Sequence, residues 1–429
     1  MNMIPVFSTN KKLNTKIISI CKKYGNGFIP VFFDSRNKFL DYLEYELPEL
    51  NILNFMEKDI DIFSILETIK NDSWLHYGGI IGIHNTEDEH QVLERMPNSN
   101  VLSTLRLTEF DATFPRLLKI LKENRQFLFQ RYIQGSLIEN MSGSFTMDND
   151  PFDVKTYTNL ITNYLFNSNY IDAEGKERLH VALIELLLNA IEHGNCSISY
   201  DEKSKWLETN GDIIELIKKK NKNPAVRKKH VFLSYTIMPE RSFITIQDEG
   251  EGFQWKEEPA LISEHTELPL HGHGIQMTKM FVENLSYNDK GNCATFEVSH
   301  LLNTANRIPR VFKDQKEITF TTNQVIFREG EVSNYLYYIV TGKFKIFKKG
   351  KHISTLAAED IFLGEMSFLG NNTRTATVKA QGKCILIEIS RDDFLKAIKN
   401  QPHYGIFLAR LLAQRLLRLH DELQVNKIS

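Results

Sequence analysis

Glu185 and Asn189 stand four residues apart in KERLHVALIELLLNAIEHG (176–194), a stretch otherwise dominated by Leu, Ile and Ala. That spacing places both side chains on one helix face, and an apolar helix does not readily bury a carboxylate and an amide without partners. Asp248-Glu249-Gly250-Glu251-Gly252-Phe253 follows the apolar alternation FITIQ, and Gly272-His273-Gly274 opens the amphipathic stretch IQMTKMFVENL. Glycines there let backbone approach phosphate, and a helix N-terminus is a ready anion site. A second set lies further along the chain: Glu365 and Arg374, nine residues apart across a polar turn, with Gly364 before the glutamate. A carboxylate accepting from a sugar hydroxyl and a guanidinium pairing with phosphate would clamp one small ligand. An internal Glu–Arg ion pair on a β-roll is the alternative.

The elements that must hold these residues differ in texture along the chain, which reads as multidomain. Residues 1–125 alternate apolar runs (IPVF, FIPVFF, LNILNF, GGIIGI) with helical stretches such as FSILETI and FPRLLKILKEN, the pattern of an α/β domain. Residues 126–151 read as a linker, because SGSFTMDNDP is polar and ends in Asp-Pro. Residues 152–303 mix long helices with strands, HVFLSYTIMPERSFITIQDEG being a hairpin about Pro-Glu-Arg, and Gly194 a candidate C′ cap of its helix. From 312 to 429 short strands separated by glycines and charged turns suggest a β-roll or jelly roll with flanking helices. Its last helix carries Leu408, Leu412, Leu416, Leu419 and Leu423 as a stripe that packs on its own domain or supports a homodimer.

Composition narrows the functional class. Of 429 residues, 42% are hydrophobic and 25% charged, as in folded globular chains, and the length calls for several cores. Lys+Arg 52 against Asp+Glu 54 leaves a net charge of −2, so no global basic excess points to nucleic acid or an anionic membrane. Four scattered cysteines without a CxxC pair suit a reducing compartment. The start, MNMIPVFSTNKK, has no signal-peptide pattern, and no run of 18 apolar residues occurs, so a cytoplasmic protein is expected. The segment 218–229 holds seven Lys or Arg and no acid; it reads as a solvated loop or as a surface for an acidic partner.

Taken in order, ELLLNAIEHG, DEGEGF, HGHGI and NCATFEV resemble the boxes of the GHKL ATP-binding fold, shared by gyrase, histidine kinases and the bacterial anti-sigma-factor serine kinases. The resemblance implies an α/β sandwich with a mixed sheet and helices on one face. It further implies that Asn189 ligates Mg2+ bridging the ATP phosphates and that Glu185 is the catalytic carboxylate. Asp248 would accept the adenine amine, Thr295 would sit near the base, and Gly250, Gly252, Gly272 and Gly274 would form the pocket floor and lid. The helix upstream, VKTYTNLITNYLF, lacks the phosphoacceptor histidine of a histidine kinase, so the chain is most similar to the serine kinase class. His273 and Gln276 depart from the lid pattern of that class.

GEMSFLGNNTRTATV resembles the phosphate-binding cassette of the cyclic nucleotide-binding domain, although Asp360-Ile361 stands where that family usually shows Gly-Asp. The likeness implies that Glu365 takes the ribose hydroxyl and Arg374 the phosphate of cAMP or cGMP, with contacts from Gly364, Thr375 and Ala376. No DNA-reading module is expected after it. The first domain resembles a response-regulator receiver whose acidic positions are filled by Ser8, Thr9, Asn10 and Asn54. Together these likenesses imply an ATP-dependent serine/threonine kinase of the anti-sigma-factor type, regulated by cyclic nucleotide. Its partner would be a sigma factor or the antagonist of an anti-sigma factor. The alternative is a non-catalytic binding module that responds to the same two ligands.

Overall fold

The computed structural model describes residues 2–24, 27–58, 60–72, 75–95, 99–128, 141–253, 278–301, 306, 308–370, 373–401, 404–405, 408–409 and 412. They form two compact units. Residues 138–166 and 170–302 make one; the N-terminal and C-terminal segments, with 167–169, make the other.

The four apolar runs at the start of the chain become β1 (Asn2–Phe7), β2 (Phe28–Phe33), β3 (Leu50–Asn54) and β4 (Gly79–His84), and the more polar VLSTLR adds β5 (Val101–Arg106). They alternate with α1 (Lys11–Tyr24), α2 (Arg36–Glu46), α3 (Ile62–Asn71), α4 (Glu89–Arg95) and α5 (Phe110–Glu123). The sheet is parallel with order β2-β1-β3-β4-β5, the flavodoxin-like winding. Every residue of β3 and β4 is buried, which explains why these strands read as continuous apolar runs. The chain reverses direction across the sheet between β1 and β3, where Ser8 and Asn54 lie buried. Glu57 closes this end: its carboxylate accepts from the Thr9 amide at 2.9 Å and from Asn54 Nδ2 at 2.6 Å.

The second unit has β6 (Met141–Met147), α6 (Pro151–Asn167), α7 (Ala173–Asn189), a π-helical turn (Ala190–Asn195) and the short helices α8 (Tyr200–Asn210), α9 (Ile213–Lys220) and α10 (Pro224–Arg227). The strands β7 (Val231–Ile237), β8 (Arg241–Asp248), β9 (Glu283–Tyr287) and β10 (Cys293–Ser299) follow. The expected hairpin is β7 with β8. Two expectations are corrected. The sheet, β6-β7-β8-β10-β9, is antiparallel throughout its described strands rather than mixed. The expected linker also contains β6, which pairs with β7 from Met141↔Ile237 to Met147↔Val231. Its polar residues occupy an edge strand, with Met141, Phe145 and Met147 facing the core.

The basic segment is not a simple loop. Ser199, Asp212 and Asn223 cap the three helices. Lys220 bonds Glu202 at 2.8 Å, Lys219 lies over the Trp206 ring, and Lys229 reaches the Asn195 carbonyl at 3.4 Å. Lys203 pairs at 2.6 Å with Glu192, buried in the π turn, and so ties α8 to the end of α7.

The last segment is an antiparallel roll of β11 (Lys316–Phe320), β12 (Val325–Phe327), β13 (Tyr335–Lys348), β14 (Lys351–Leu356), β15 (Phe362–Leu363) and β16 (Thr377–Ser390). The short α11 (Glu365–Leu369) and α12 (Arg391–Asn400) flank it. Ile361, at the position where the sequence departs from the family pattern, is fully buried with φ 63° and ψ −51°. A β-branched residue there carries strain of about 1–3 kcal/mol. The leucine stripe lies mostly outside the described residues; Leu408 is buried and Leu412 packs against the core of the roll. Among the described residues no helix is long and apolar enough to cross a membrane.

Candidate functional site

Glu185 and Asn189 share the last turns of α7, both half-buried. No hydrogen bond links either side chain to another described residue, although the turn that follows is densely bonded. The helix widens to π geometry at Ala190–Asn195, a departure that recurs at functional sites. Gly194 lies in this turn and is not a C′ cap. A Cβ there would overlap the Asp248 carboxyl, so glycine is required for β8 to approach so closely.

Asp248 ends β8 and is 8% exposed. Its Oδ1 accepts from the Gly250 amide at 2.7 Å, and its backbone exchanges bonds with Asn292, whose Nδ2 donates to the Asp248 carbonyl at 2.8 Å. Lys290 Nζ donates to the Gly250 carbonyl at 2.8 Å, holding the glycine loop that includes Gly252. Asn195, which the sequence did not single out, is fully buried and ties the parts together. Its Oδ1 accepts from the Glu249 amide at 2.9 Å, and its Nδ2 donates to Asn149 Oδ1 at 2.8 Å.

Burial pushes the Asp248 carboxyl up to about 6, against the opposing pull of the Gly250 amide and the Lys290 and Lys229 charges. A ligand amine pairs best with the ionised form, because protonation turns the oxygen not held by the Gly250 amide into a hydroxyl. Affinity for an amine-bearing base is therefore expected to be flat above about pH 7 and to weaken roughly tenfold per unit below the pKa. Calorimetric titration with ATP between pH 8 and pH 5 measures this.

Thr295 does not belong to this pocket. It pairs across the sheet with Thr245, the two hydroxyls 3.1 Å apart. Asp248 is three residues from Thr245 on the same strand, so strand alternation puts it on the opposite face. Ala294, buried opposite Ile246, shares the face of Asp248. Gly272 and Gly274 lie outside the described residues. No described cluster of three or more His, Cys, Asp or Glu could hold a metal ion.

In the roll, Gly364 (φ 85°), Glu365 and Arg374 come together. A Cβ on Gly364 would overlap the Arg374 guanidinium. Arg374 is 2% exposed and lies over the Phe327 ring at 4.1 Å. Nη1 donates to the Gly364 carbonyl at 3.1 Å and to Ser367 Oγ at 2.8 Å. Nη2 donates to Ser333 Oγ and to the Tyr335 carbonyl, both at 2.8 Å. The guanidinium thus braces the roll, and it feels the charge of the Glu365 carboxylate. Thr375 is exposed, and Ala376 packs against the apolar core of the roll. Arg374→Lys keeps the charge but loses the planar fork and the stacking. Urea unfolding of the variant should show a loss of about 3 kcal/mol.

Comparison with known families matches residues 147–298 to the model described as histidine kinase-like ATPase domain, and residues 317–401 to the cyclic nucleotide-binding domain. The chain carries both of these domains. In the second, the chain is 34% identical over 118 residues to a cGMP-dependent protein kinase of Drosophila melanogaster, covering 25% of this chain and 11% of that protein. It is 27% identical over 120 residues to a CRP-like cAMP-activated global transcriptional regulator of Mycobacterium tuberculosis, covering 27% of this chain and 54% of that protein. The catabolite activator protein of Thermus thermophilus, a solved structure, is 27% identical with a TM-score of 0.25, covering 27% of this chain and 57% of that one. The chain therefore spans between about a tenth and about half of these relatives' lengths. A histidine kinase-like ATPase domain joined to a cyclic nucleotide-binding domain makes this a signalling protein.

Proposed function

We propose that the ATPase domain transfers the γ-phosphoryl of ATP to a serine or threonine of a protein partner, as the anti-sigma-factor serine kinases do, under control of a cyclic nucleotide held by Glu365 and Arg374. The observation that carries the reading is the half-buried Glu185–Asn189 pair, unbonded to any described residue, on a helix whose following turn cradles Asp248. An amide oxygen with no bond to a described residue suits Mg2+, which takes one or two protein ligands and completes its shell with water and phosphate. Asn189 would hold that ion, and the ion would neutralise phosphate charge. Glu185 would orient and deprotonate the acceptor hydroxyl, and Asp248 would accept the adenine amine.

Thr375 and Ala376 would line the mouth of the cyclic-nucleotide site, and the α/β domain, wound like a receiver but without its carboxylates, would serve contacts rather than phosphorylation. The partner would be a sigma factor or an antagonist of its anti-sigma factor. Incubating the chain with γ-labelled ATP and cytoplasmic extract, with cAMP, with cGMP and with neither, tests the reading. Label on serine or threonine of a partner is expected. ATP binding without any protein-bound label would instead favour the non-catalytic binding module.

A further inference from the structure

The ligand-anchor helix of the roll and the end of α2 in the α/β domain meet in one hydrophobic cluster, and both belong to the same compact unit. Phe368, three residues after Glu365 on α11, packs edge-on against Phe394 at 5.4 Å. Phe394 stacks with Phe312 at 6.4 Å, and Phe312 lies 5.5 Å from Tyr404. Leu47 from the end of α2 packs against this cluster and also against the core of its own domain. It does so in a left-handed conformation, φ 45° and ψ 60°, where glycine is usual. Tyr404, fully buried, has its hydroxyl pushed up first by burial and then by the carboxylates of Asp72, which caps α3, and Glu44 of α2. A leucine held in a strained cap so that it joins two cores is a mechanical link, because packed cores respond to displacement by repacking as a unit.

We infer that cyclic nucleotide bound at Glu365 and Arg374 acts on the N-terminal α/β domain, through Phe368, the Phe394–Phe312–Tyr404 contacts and Leu47. This rests on the cyclic-nucleotide reading of the roll. It makes the α/β domain an output surface of the sensor, a role that its self-satisfied polar end leaves open. Linkage requires the effect to be reciprocal: loosening Leu47 must change nucleotide affinity although Leu47 is not among the ligand anchors.

Hydrogen exchange on the full chain, with cAMP, with cGMP and with neither, tests the link. Peptides covering 361–370 and peptides covering 36–47 and 62–72 should change together. Leu47→Gly removes the bridging side chain while suiting the left-handed cap, so α2 keeps its end. In that variant the 361–370 response should persist, the 36–47 response should vanish, and nucleotide affinity should change about fivefold or more. A response at 361–370 with none at 36–47 or 62–72 in the unmodified chain overturns the inference. If neither nucleotide moves 361–370, the ligand reading itself fails, and Phe368→Leu decides the link alone. Altered exchange at 36–47 in that variant sustains the mechanical connection, and unaltered exchange refutes it.

Discussion

Glu185→Ala is expected to bind ATP within about a factor of two of the unmodified chain and to lose phosphoryl transfer by about 10²–10⁴-fold, the range that a positioned general base contributes. The separation of the two effects follows from the geometry. Asp248, the proposed base-recognition group, sits at the end of β8 in a network of Gly250, Asn292 and Asn195 that does not include Glu185. Glu185 lies half-buried on α7 with no described hydrogen bond to break. Its truncation therefore removes a carboxylate without unsatisfying a described neighbour, and the fold should be unaffected. Single-turnover transfer from γ-labelled ATP, alongside calorimetry, separates the two quantities. Transfer that survives in the variant would show that another group activates the acceptor hydroxyl.

What could be read from the sequence depended on how far each property is set by near neighbours. Four strands of the α/β domain were legible because a parallel sheet covered on both faces demands unbroken apolar runs, and β4 is buried from Gly79 to His84; the fifth, VLSTLR, is interrupted by Ser103 and Thr104 and gives no such run. The strand Met141–Met147 was not, because an edge strand with Ser142, Gly143 and Ser144 has the composition of a turn. The helices after residue 199 were signalled by their caps, Ser199, Asp212 and Asn223, but the lysine run concealed the pattern. Glu185, Asn189 and Asp248 stood out as polar groups in apolar settings. Thr295 was misplaced because the face of a strand residue depends on register, and the register of β10 against β8 puts Ala294 on the pocket side. The bracing of Arg374 could not be foreseen, since Ser333 and Tyr335 lie 41 and 39 residues away in sequence. Nor does any local rule foretell a leucine shared between two cores.

Asp248→Asn should weaken ATP binding by about 5- to 150-fold, the cost of roughly 1–3 kcal/mol for facing a donor with a donor in a buried site. The substitution preserves volume, and its carbonyl oxygen can still accept from the Gly250 amide, as Oδ1 does at 2.7 Å. That bond orients the new NH2 group toward the position of the adenine amine, so both polar groups there are donors. The close approach of Gly194 leaves the side chain no room to turn away. The same inversion makes a second, independent prediction. Guanine presents an acceptor oxygen where adenine presents an amine, so the variant should bind ATP and GTP with a ratio shifted toward GTP by about tenfold or more. The pH response should vanish as well, because an amide does not titrate near 6 as the buried carboxyl does. Calorimetry with both nucleotides at pH 8 and pH 5 reads all three effects on one protein. Unchanged ATP affinity would remove Asp248 from the pocket, whereas weaker ATP binding with an unshifted ratio would mean that the loop, not the carboxylate, recognises the base.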